Sequence, residues 1–539
     1  MSTVRAERSI ALTLFVAYAW FYQGGGWNQN SRFDQVRAVV ETGRLSIDDY
    51  LTYVPATIDG RPAARRLPPG EAALASSSGA RTVANTGDTS TFAGHLFPNK
   101  PPGATFLAVP AYFAIVSYER LARIDPDGFR AGNLNLYLTT LLSVGLLGAF
   151  GGALFYRVSS DLFPGTPSAD HALAALALGL GTLYFPFATL LFDHLPVAVL
   201  SLLAFALLRA GRGGRERGAS VRLAAAGLAI GAAVLCNYAA VLTALALVLY
   251  AIVVVRPRRN VLLVLAGGSP AAILLGAYQA ACFGSPWTLA TSHQSELFAT
   301  AGARWLGAFD LPRPDIILKL LFSPYRGLFI SSPVLLLGAY GIWRMARVRS
   351  TRVEASLFGS IGAAYLLMNG SFNGWHGGYS FGPRYLIPAL PFLALPLAPV
   401  LARRRTIGFC LTFLSVILIL LATAVDPQAP FEIRKTWTGY LLPLAAGSRV
   451  ARPPGWVEGP VSANPQGTSE KFAFDLYPPG SEEAAWNSFN LGESLWPGSF
   501  MSLLPLLLTL GFAGRALLTR AERRPPARPS ARAERSSGS

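Results

Sequence analysis

The chain has 539 residues, of which 52% are hydrophobic and only 14% are charged. Soluble proteins carry about a quarter charged residues, so this composition excludes an ordinary soluble enzyme. The formal net charge of +17 does not indicate a nucleic-acid partner, because the lysines and arginines lie mostly in short clusters between apolar runs, as in the cytoplasmic loops of membrane proteins. The sequence therefore predicts an all-α polytopic membrane protein.

Twelve apolar runs are candidates for crossing a bilayer, which takes about 20 apolar residues. The first, 9–26, follows a few basic residues and has no small-residue cleavage site after it, so we interpret it as a retained helix. The others are 133–156, 172–192, 195–210, 223–236, 239–255, 261–282, 326–345, 354–370, 386–402, 406–425 and 499–514. A further run, 103–117, is ambiguous, and counting it as a crossing inverts the side of everything after it.

The distribution of arginine resolves this ambiguity. If 103–117 does not cross, the basic clusters fall on the same side as Arg5 and Arg8; these clusters are 212–217, 256–259, 344–352, 403–405 and the tail from 515. The positive-inside rule then predicts that both termini of this multi-pass protein lie in the cytoplasm. The run 103–117, interrupted by Pro110, becomes a helix in or dipping into the outer interface.

On this topology the extracytoplasmic segments are 27–132, 193–194, 237–238, 283–325, 371–385 and 426–498. We divide the chain into a transmembrane core that includes the first outer loop (1–425), an outer cap (426–498), a last transmembrane helix (499–514) and a basic cytoplasmic tail (515–539). The tail is rich in Pro, Arg and Ser, which predicts disorder.

The first outer loop is too long for a mere connector, so we expect it to carry function. After Asn28 and Arg32 it continues helically to Gly43, with Asp34 just beyond the membrane. A carboxylate in this place can act as a general base toward a lipid-borne substrate. Ser31-x-x-Asp34 also fits a capping box, in which Asp34 stabilises the helix start. The two interpretations are compatible.

Two more polar strings follow in this loop. Asn85-Thr-Gly-Asp88 adds a second carboxylate in what would otherwise be an ordinary turn. Lys100 directly precedes the 103–117 run, where its ammonium can meet a phosphate at the level of the lipid headgroups. The alternative for Lys100 is that it only snorkels to the interface.

Asp193 and His194 lie where a helix hairpin turns at the outer face. An ionisable pair at a membrane boundary indicates function, although both residue types also cap such turns. Arg326, at the start of the eighth crossing, offers a guanidinium to a lipid phosphate or simply anchors the helix. Asp125-Pro-Asp127 resembles the Asp-x-Asp of nucleotide-sugar enzymes, but a Pro in this place is typical of a turn and cap.

The segment 369–385 combines glycines with Trp375, His376 and Arg384. The glycines allow close approach of the backbone, the aromatic rings suit an interface or a sugar ring, and the planar guanidinium of Arg384 suits a phosphate. The alternative is an interfacial aromatic belt with an anchoring arginine. No two outer histidines stand at ligand spacing, so the sequence does not support a metal.

Some of these strings resemble a known family. Arg32-Phe33 after the first span, and Lys100-Pro-Pro leading into an interfacial helix, resemble the GT-C glycosyltransferases, with lipid A aminoarabinose transferases and protein O-mannosyltransferases as the nearest named relatives. The fuller strings 27–32, 85–88 and 99–103 look closer to a related group of uncharacterised bacterial membrane proteins. The resemblance is best over about residues 9–200 and extends through Tyr385.

The resemblance implies a GT-C-like bundle of about 12 transmembrane helices, with interfacial helices in a long first outer loop. It also implies a polyprenyl-phosphate sugar as donor and a catalytic Asp or Glu in that loop. This chain departs from the pattern, because the acidic pair expected before the Arg-aromatic dipeptide falls on Gln29-Asn30, whose amides cannot act as bases. The base is then Asp34 or Asp88, or the chain has lost transferase activity.

The sequence thus predicts a glycosyltransferase that moves a sugar from a polyprenyl-phosphate donor to an extracytoplasmic lipid, glycan or protein. Its partners would be the donor and membrane lipids, with Lys100 and Arg384 clamping the phosphate and Arg326 as a further candidate for this clamp. One alternative is a secondary transporter, although we find neither an internal repeat nor clear ionisable residues at the midplane. The other is a catalytically inactive GT-C-like scaffold of the cell envelope.

Overall fold

The computed structural model describes residues 3–23, 25–58, 61–78, 82–127, 129–213, 218–295, 298, 305, 307–446, 489–496 and 500–522. Most of the predicted outer cap and the basic tail lie outside the described residues. Helices dominate the described part, which confirms the prediction of a helical, multi-pass membrane protein.

The α-helices, numbered in chain order, are α1 (Thr3–Ala19), α2 (Trp27–Arg37), α3 (Pro69–Ser77), α4 (Gly103–Ala122), α5 (Phe129–Thr140), α6 (Leu146–Leu162), α7 (Ser168–Gly181), α8 (Tyr184–Ala188), α9 (His194–Gly211), α10 (Ala219–Cys236), α11 (Val241–Val254), α12 (Val261–Phe283), α13 (Pro314–Phe322), α14 (Leu328–Ser331), α15 (Leu335–Ala346), α16 (Arg352–Ser371), α17 (Leu390–Ala394), α18 (Leu397–Arg403), α19 (Arg405–Val425), α20 (Leu442–Ala445) and α21 (Leu504–Glu522). The strands are β1 (Phe21–Tyr22), β2 (Thr52–Ile58), β3 (Arg61–Leu67), β4 (Val83–Ala84), β5 (Thr89–Phe92), β6 (His95–Pro98) and β7 (Phe489–Asn490).

Among the described residues, six helices are long and apolar enough to cross a membrane, and a bent pair raises the number to seven if it is one span. The six are 131–162, 194–211, 219–236, 258–283, 405–425 and 500–517. The bent pair joins 384–394 to 397–403 at an angle of 58°, with Pro396 at the break. Each of these segments coincides with a predicted crossing, and the total of about twelve stays a prediction.

Two predicted crossings have different boundaries in the structure. The first ends at Ala19 and is followed by β1, and further on Gly25 and Gly26 adopt φ of 74° and 93°, in the left-handed region that a helix cannot use. The run 172–192 is broken, since α7 ends at Gly181 and only the short α8 follows. In both cases the hydropathy pattern detects the apolar run, but it does not detect the turn inside that run.

The first outer loop contains small β elements that the helical prediction missed. Strands β2, β3 and β4 form an antiparallel sheet in the order β3-β2-β4, and β5 pairs with β6 as a hairpin. Helix α2 continues as a π-helical turn to Thr42 and stops at Gly43, whose φ is 69°. The predicted helical course to residue 43 is therefore confirmed. The run 103–117 lies within α4, which packs against α2 and α5 and is not among the candidate spans.

The segment after the first helix is tied to distant parts of the chain. Strand β1 pairs with β7, with Phe21 opposite Asn490 and Tyr22 opposite Phe489. The side-chain amide of Gln23 donates to the carbonyl of Thr423 over 2.8 Å. These contacts fix the point at which the chain leaves α1 and enters α2.

Candidate functional site

Helix α2 holds the 85–88 turn against the rest of the protein. The Asn30 amide donates to the carbonyl of Asn85 over 2.8 Å, and the Ser31 hydroxyl donates to the carbonyl of Asp88 over 2.9 Å. The Asn85 amide in turn donates to Oδ1 of Asp34 over 3.0 Å. Every one of these side chains is at least nine-tenths buried. The turn is therefore positioned by neutral hydrogen-bonding groups of one helix.

The first residue of α2 also contacts this turn. The Thr86 hydroxyl donates to the carbonyl of Trp27 over 2.7 Å and accepts from the amide of Asp88 over 3.0 Å. The Trp27 ring lies so close to Gly87 that a Cβ there would approach a ring carbon to 2.7 Å. Glycine at position 87 is needed for this close approach.

The turn presents Asp88 to Lys100. The Lys100 ammonium lies 2.7 Å from Oδ2 of Asp88 and also donates to the side-chain oxygen of Asn99 over 2.7 Å. Burial alone would raise the pKa of Asp88, but the charge of Lys100, with those of Arg384 and Arg32, lowers it below its ordinary value. Burial also lowers the pKa of Lys100, against the opposing effect of Asp88. Asp88 is therefore ionised at neutral pH.

Arg32 forms a second ion pair in the same region. Its Nη2 lies 2.6 Å from Oδ2 of Asp193, and both side chains are at least 95% buried. Its Nη1 donates to the carbonyl of Asn28 over 3.1 Å and to the Asn28 side-chain oxygen. Burial would raise the pKa of Asp193, yet Arg32 lowers it below its ordinary value. Nδ1 of His194 lies 3.2 Å from Oδ1 of Asp193.

Arg384 has no carboxylate within ion-pair distance in the described part of the chain. Its Nη2 donates to the hydroxyl of Tyr385 over 3.2 Å, and its guanidinium lies 5.5 Å from the centre of the Phe192 ring. Its buried Nε has no hydrogen-bond partner among the described residues. A Cβ at Gly377, where φ is 78°, would lie 3.1 Å from Cγ of Arg384. The glycine thus makes room for the arginine, as the sequence interpretation of this segment requires.

Gly377 and Gly378, both with positive φ, form what we call the glycine turn, and Arg326 lies on its other side. Its Nη2 donates to the carbonyls of Gly378 over 3.1 Å and Ala429 over 3.4 Å. The side chain is 1% exposed, and among the described residues its Nε and Nη1 have no hydrogen-bond partner. A buried guanidinium with two unused donor groups is costly unless an anion or water meets it.

His376 and Trp375 belong to the Arg326 side of the turn. The His376 ring stacks on Phe431 at 4.5 Å, and its Nδ1 accepts from the amide of Gly378 over 3.0 Å. Burial and the nearby Arg326 lower the pKa of His376 to about 4, so this ring is neutral at pH 7. Trp375 meets Tyr325 edge to face at 5.9 Å. These two rings shape the glycine turn and carry no charge.

We call Arg32, Lys100, Arg384, Asp88 and Asp193 the cationic cluster. The charges of all three cations act on both carboxylates. The three cations and two carboxylates carry a net charge of +1. Arg326 interacts electrostatically with Arg384 and adds another positive charge to this region. A buried excess of positive charge next to unused guanidinium donors favours the binding of an anion.

Asp34 is not part of the cationic cluster. Its side chain is 1% exposed, and the charged groups that act on it are Arg37 and Arg66. Burial raises the pKa of Asp34 to about 8, against the lowering effects of Asn85 and the two arginines. Most molecules therefore carry a protonated Asp34 at pH 7. A carboxyl group in this state is a poor candidate for a general base there.

A second group of charges, which we call the balanced cluster, consists of Arg37, Glu41, Arg66 and Asp127. Asp127 pairs with both arginines, and Nε of Arg37 lies 3.0 Å from Oε1 of Glu41. Two positive charges meet two negative ones, so the cluster needs no further anion. The Asp125 carboxylate accepts from the amide of Asp127 over 3.0 Å, as expected of a turn.

Gln29 and Asn30, at the positions where the family resemblance implies acids, use their amides as donors. Nε2 of Gln29 donates to the carbonyls of Gln23 over 2.6 Å and Gly25 over 2.7 Å, while its Oε1 accepts from the amide of Leu191 over 2.9 Å. A carboxylate cannot donate to a carbonyl. Both amides therefore connect segments of backbone, and an acid would break these connections.

The structure brings together six of the residues singled out from the sequence, namely Arg32, Asp88, Lys100, Asp193, His194 and Arg384, with Asn28 bound to Arg32. Arg326, Trp375 and His376 form the adjoining side of the glycine turn, and Asp34 lies apart. Sequence reasoning assigned no role to Asn85, Asn99 or Tyr385. The sequence pattern that could have pointed to Asn85 is the helical spacing of the α2 residues that contact the 85–88 turn. Within the described residues, no three metal-ligating side chains gather into a potential metal site.

No protein-family model matches the sequence, and no curated protein matches it. Two solved structures are similar to the chain. ArnT from Cupriavidus metallidurans, bound to undecaprenyl phosphate, is 14% identical with a TM-score of 0.46, over 82% of this chain and 69% of that chain. The oligosaccharyltransferase from Archaeoglobus fulgidus, in the apo form, is 12% identical with a TM-score of 0.38, over 81% and 56%. At these identities and TM-scores the two similarities carry no conclusion about the activity of this chain.

Proposed function

We propose that the chain is a glycosyltransferase that moves a sugar from a polyprenyl-phosphate donor to an acceptor outside the cytoplasmic membrane. The single observation that carries this proposal is the cationic cluster, in which an excess of buried positive charge lies beside an ionised carboxylate, Asp88. Sugar transfer from a lipid phosphate needs this combination of groups. Cations stabilise the phosphate as it leaves, and a base takes a proton from the acceptor.

Lys100 and Arg384 are the groups that we assign to the phosphate. Arg384 is partly exposed and has no carboxylate partner among the described residues, and the Lys100 side chain is 19% exposed, so both are within reach of a ligand. Arg326 donates to the carbonyl of Gly378 in the glycine turn, and its charge adds to the positive potential around Arg384. The donor's phosphate would form charge-assisted hydrogen bonds with these side chains.

Asp88 is the residue that we assign as general base. In the transfer, the acceptor oxygen or nitrogen forms a bond to the anomeric carbon and the bond from that carbon to the phosphate oxygen breaks. The acceptor's proton goes to Asp88, and the electron pair goes to the phosphate. A phosphate that binds Lys100 competes with Asp88 for the ammonium and adds negative charge nearby, which raises the pKa of Asp88 and makes it a stronger base.

Asp193, Arg32 and Asn28 act as a support for this site. Asp193 and Asn28 together hold the Arg32 guanidinium, whose charge acts on both Asp88 and Lys100. His194 and Tyr385 meet edge to face at 5.5 Å and close the side nearest Arg384. Trp375 and His376 we assign to the wall of the donor site, since they form the glycine turn between the two arginines.

The proposed setting follows from the arginine distribution. The site would face the outside of a bacterial inner membrane, with both termini in the cytoplasm and membrane lipids around the bundle. The first outer loop, within the core 1–425, then presents Asp88 and Lys100 where a lipid-linked sugar is available. The residues 426–498 would cap this side.

The binding half of the proposal is tested with undecaprenyl phosphate and the purified full chain in lipid nanodiscs. We expect wild-type protein to bind undecaprenyl phosphate, and Arg384→Gln or Lys100→Gln to weaken binding about tenfold or more, because each removes a charge-assisted hydrogen bond of about 1.5–3 kcal/mol. Isothermal titration or native mass spectrometry gives the affinities. Arg403→Gln, at an exposed arginine, is the matched control and should bind like wild type.

Undecaprenol, which lacks the phosphate, separates headgroup binding from binding of the chain. Equal affinity for undecaprenol and undecaprenyl phosphate, or an unchanged affinity in both variants, would contradict the assignment of the cationic cluster to the donor. Mass spectrometry of envelope glycans from cells with and without the protein then tests for transfer itself. Identical glycans in the two strains would indicate that the protein is a binding scaffold and not an enzyme.

A further inference from the structure

We infer that Asp34 is a positioning residue whose protonated carboxyl forms a two-bond pair with the side-chain amide of Asn85, and so fixes the turn that carries Asp88. This inference deepens the proposed function, on which its consequence for donor binding rests, while the pairing itself stands on the contacts of the two side chains. On this inference, donor binding requires a proton on the Asp34 carboxyl group and not a negative charge there.

The first observation concerns two buried oxygens that lack donors. Asn85 donates its amide to Oδ1 of Asp34 over 3.0 Å, and both side chains are almost fully buried. Within the described residues, Oδ2 of Asp34 and Oδ1 of Asn85 are both left without a hydrogen-bond partner. These two oxygens belong to side chains that are already joined by one hydrogen bond, and each is an acceptor that lacks a donor. A proton on Asp34 turns one acceptor into a donor, and acid and amide can then satisfy each other through two hydrogen bonds.

The second observation is the arrangement of the residues on α2. Trp27, Asn30, Ser31 and Asp34 follow the helical spacing that puts side chains on one face, and each of them contacts the 85–88 turn. Asn30 and Ser31 donate to backbone carbonyls of the turn, and the carbonyl of Trp27 accepts from the Thr86 hydroxyl, so the first three contacts all involve neutral groups. Asp34 is the fourth contact on this face, and its carboxyl group accepts from the side-chain amide of Asn85.

The third observation concerns charge. The groups that face Asp34 are Arg37 on its own helix, Arg66 on β3 and Tyr53 on β2, with Asn85 on the turn. Both arginines are already neutralised by Glu41 and Asp127 in the balanced cluster. An ionised Asp34 would therefore be a surplus buried charge, which is unfavourable. Burial raises the pKa of Asp34 to about 8, in agreement with a neutral carboxyl.

The consequence is a dependence on pH that a catalytic base would not show. The carboxyl loses its proton as the pH rises through about 8, and the pair with Asn85 then loses one of its two bonds while two acceptors are brought face to face. The 85–88 turn should loosen, and Asp88 with it. Asparagine at position 34 supplies the same two bonds at every pH, because its amide replaces the carboxyl proton as the donor.

The experiment compares the wild-type chain with Asp34→Asn and Asp34→Leu in nanodiscs, by hydrogen exchange of the peptide that contains residues 82–92. We expect exchange in the wild type to be about tenfold faster at about pH 9 than at about pH 6, after correction for intrinsic rates, because a hydrogen bond is lost. Asp34→Asn should keep slow exchange at both values, and Asp34→Leu should be fast at both. Asp315→Asn, at an exposed aspartate paired with Lys319, controls for a general effect of the substitution.

Binding of undecaprenyl phosphate is measured on the same samples. Wild-type affinity should fall between about pH 7 and about pH 9, while the affinity of Asp34→Asn should change less, by the amount that the lipid's own titration causes. Fast exchange in Asp34→Asn at about pH 6 would overturn the inference, because an ionised carboxylate would then be required. Wild-type exchange that is equally slow at both pH values would overturn it too, even if Asp34→Leu fails to fold. Failure of the wild type to bind the lipid at any pH counts against the proposed function alone.

Discussion

Helix α2 contributes an arginine to each of two ion-pair clusters, and the two clusters differ in their charge. Arg37 belongs to the balanced cluster, where two cations meet two carboxylates and Tyr50 and Tyr112 donate to Glu41. Arg32 belongs to the cationic cluster, where three cations meet two carboxylates and where, within the described part of the chain, some guanidinium nitrogens have no hydrogen-bond partner. The same residue types, separated by little more than one helical turn, thus produce a closed network and one that is open to an anion.

This difference shows what a buried ion pair does and does not indicate. A complete network, such as the one around Asp127, is explained by its own contacts and needs no ligand. An incomplete network carries the cost of unpaired charge, and a protein retains this where a ligand completes it. The excess of charge, and not the number of ion pairs, is therefore the property that distinguishes the site.

The largest expected effect is that of Asp88→Asn, which should lower sugar transfer by about 100-fold to 10,000-fold, the contribution of a general base. Undecaprenyl phosphate binding should stay within a few-fold of wild type, since the amide removes only a negative charge from the donor site. Transfer is measured by mass spectrometry of envelope glycans in cells that carry the variant in place of the wild-type protein.

Asp127→Asn is the matched change in the balanced cluster. It should leave transfer per folded molecule within about threefold of wild type, because Asp127 lies outside the donor site. Transfer by Asp88→Asn at more than about a tenth of the wild-type rate would rule out Asp88 as the base. A similar loss in both variants would remove the distinction between the clusters.

A smaller but clear effect is expected on stability from Arg32→Met. It leaves Asp193 buried without its arginine partner, and we expect a loss of about 3–5 kcal/mol in the free energy of unfolding. Arg66→Met, at a side chain that is 20% exposed, should cost about 1 kcal/mol or less. Thermal unfolding in detergent compares the two. Addition of Asp193→Leu to Arg32→Met should restore part of the loss, and equal melting temperatures of the two single variants would contradict the comparison.

The smallest effect is a dependence of stability on pH within the balanced cluster. Burial would raise the pKa of Asp127, but Arg66 and Arg37 lower it to about 2. A lowered carboxyl pKa stabilises the folded chain above about pH 4, and this stabilisation is lost as the pH falls from about 4 to about 2. We expect about 1 kcal/mol, because the side chain is 35% exposed and solvent screens the pairs. Asp127→Asn should lack this loss in thermal unfolding at pH values across that range, and an identical pH slope in both proteins would refute it.

Much of the fold follows from sequence patterns, since long apolar runs predict the candidate spans, and the helical course to Gly43 is stopped by a residue suited to positive φ. What hydropathy does not register is a turn inside an apolar run. It therefore missed the end of the first helix at Ala19 and the break after Gly181. In the first outer loop, β4 has too few residues for a period of two to be visible, and β2 and β3 contain Pro55 and Pro62 and do not alternate regularly between apolar and polar residues.

The residue types of the site were predictable, and their pairing was not. Charged and polar residues at the outer ends of apolar runs indicated Arg32, Asp88, Lys100, Asp193 and Arg384. Arg32 and Asp193 are 161 residues apart, and no local pattern relates them. Asp34 was a candidate base on its position along α2, but burial and the pairing with Asn85, which decide its protonation, depend on the tertiary structure.

The short ladder between β1 and β7 has a consequence for how the protein is made. The strand that leads into α2 is completed by Phe489 and Asn490, and the amide of Leu491 donates to the carbonyl of Trp20 over 2.9 Å. A ribosome delivers these partners only after most of the membrane bundle has been inserted. The segment that carries Gln29 and Arg32 therefore acquires its final support late in biogenesis, from nearly the opposite end of the polypeptide.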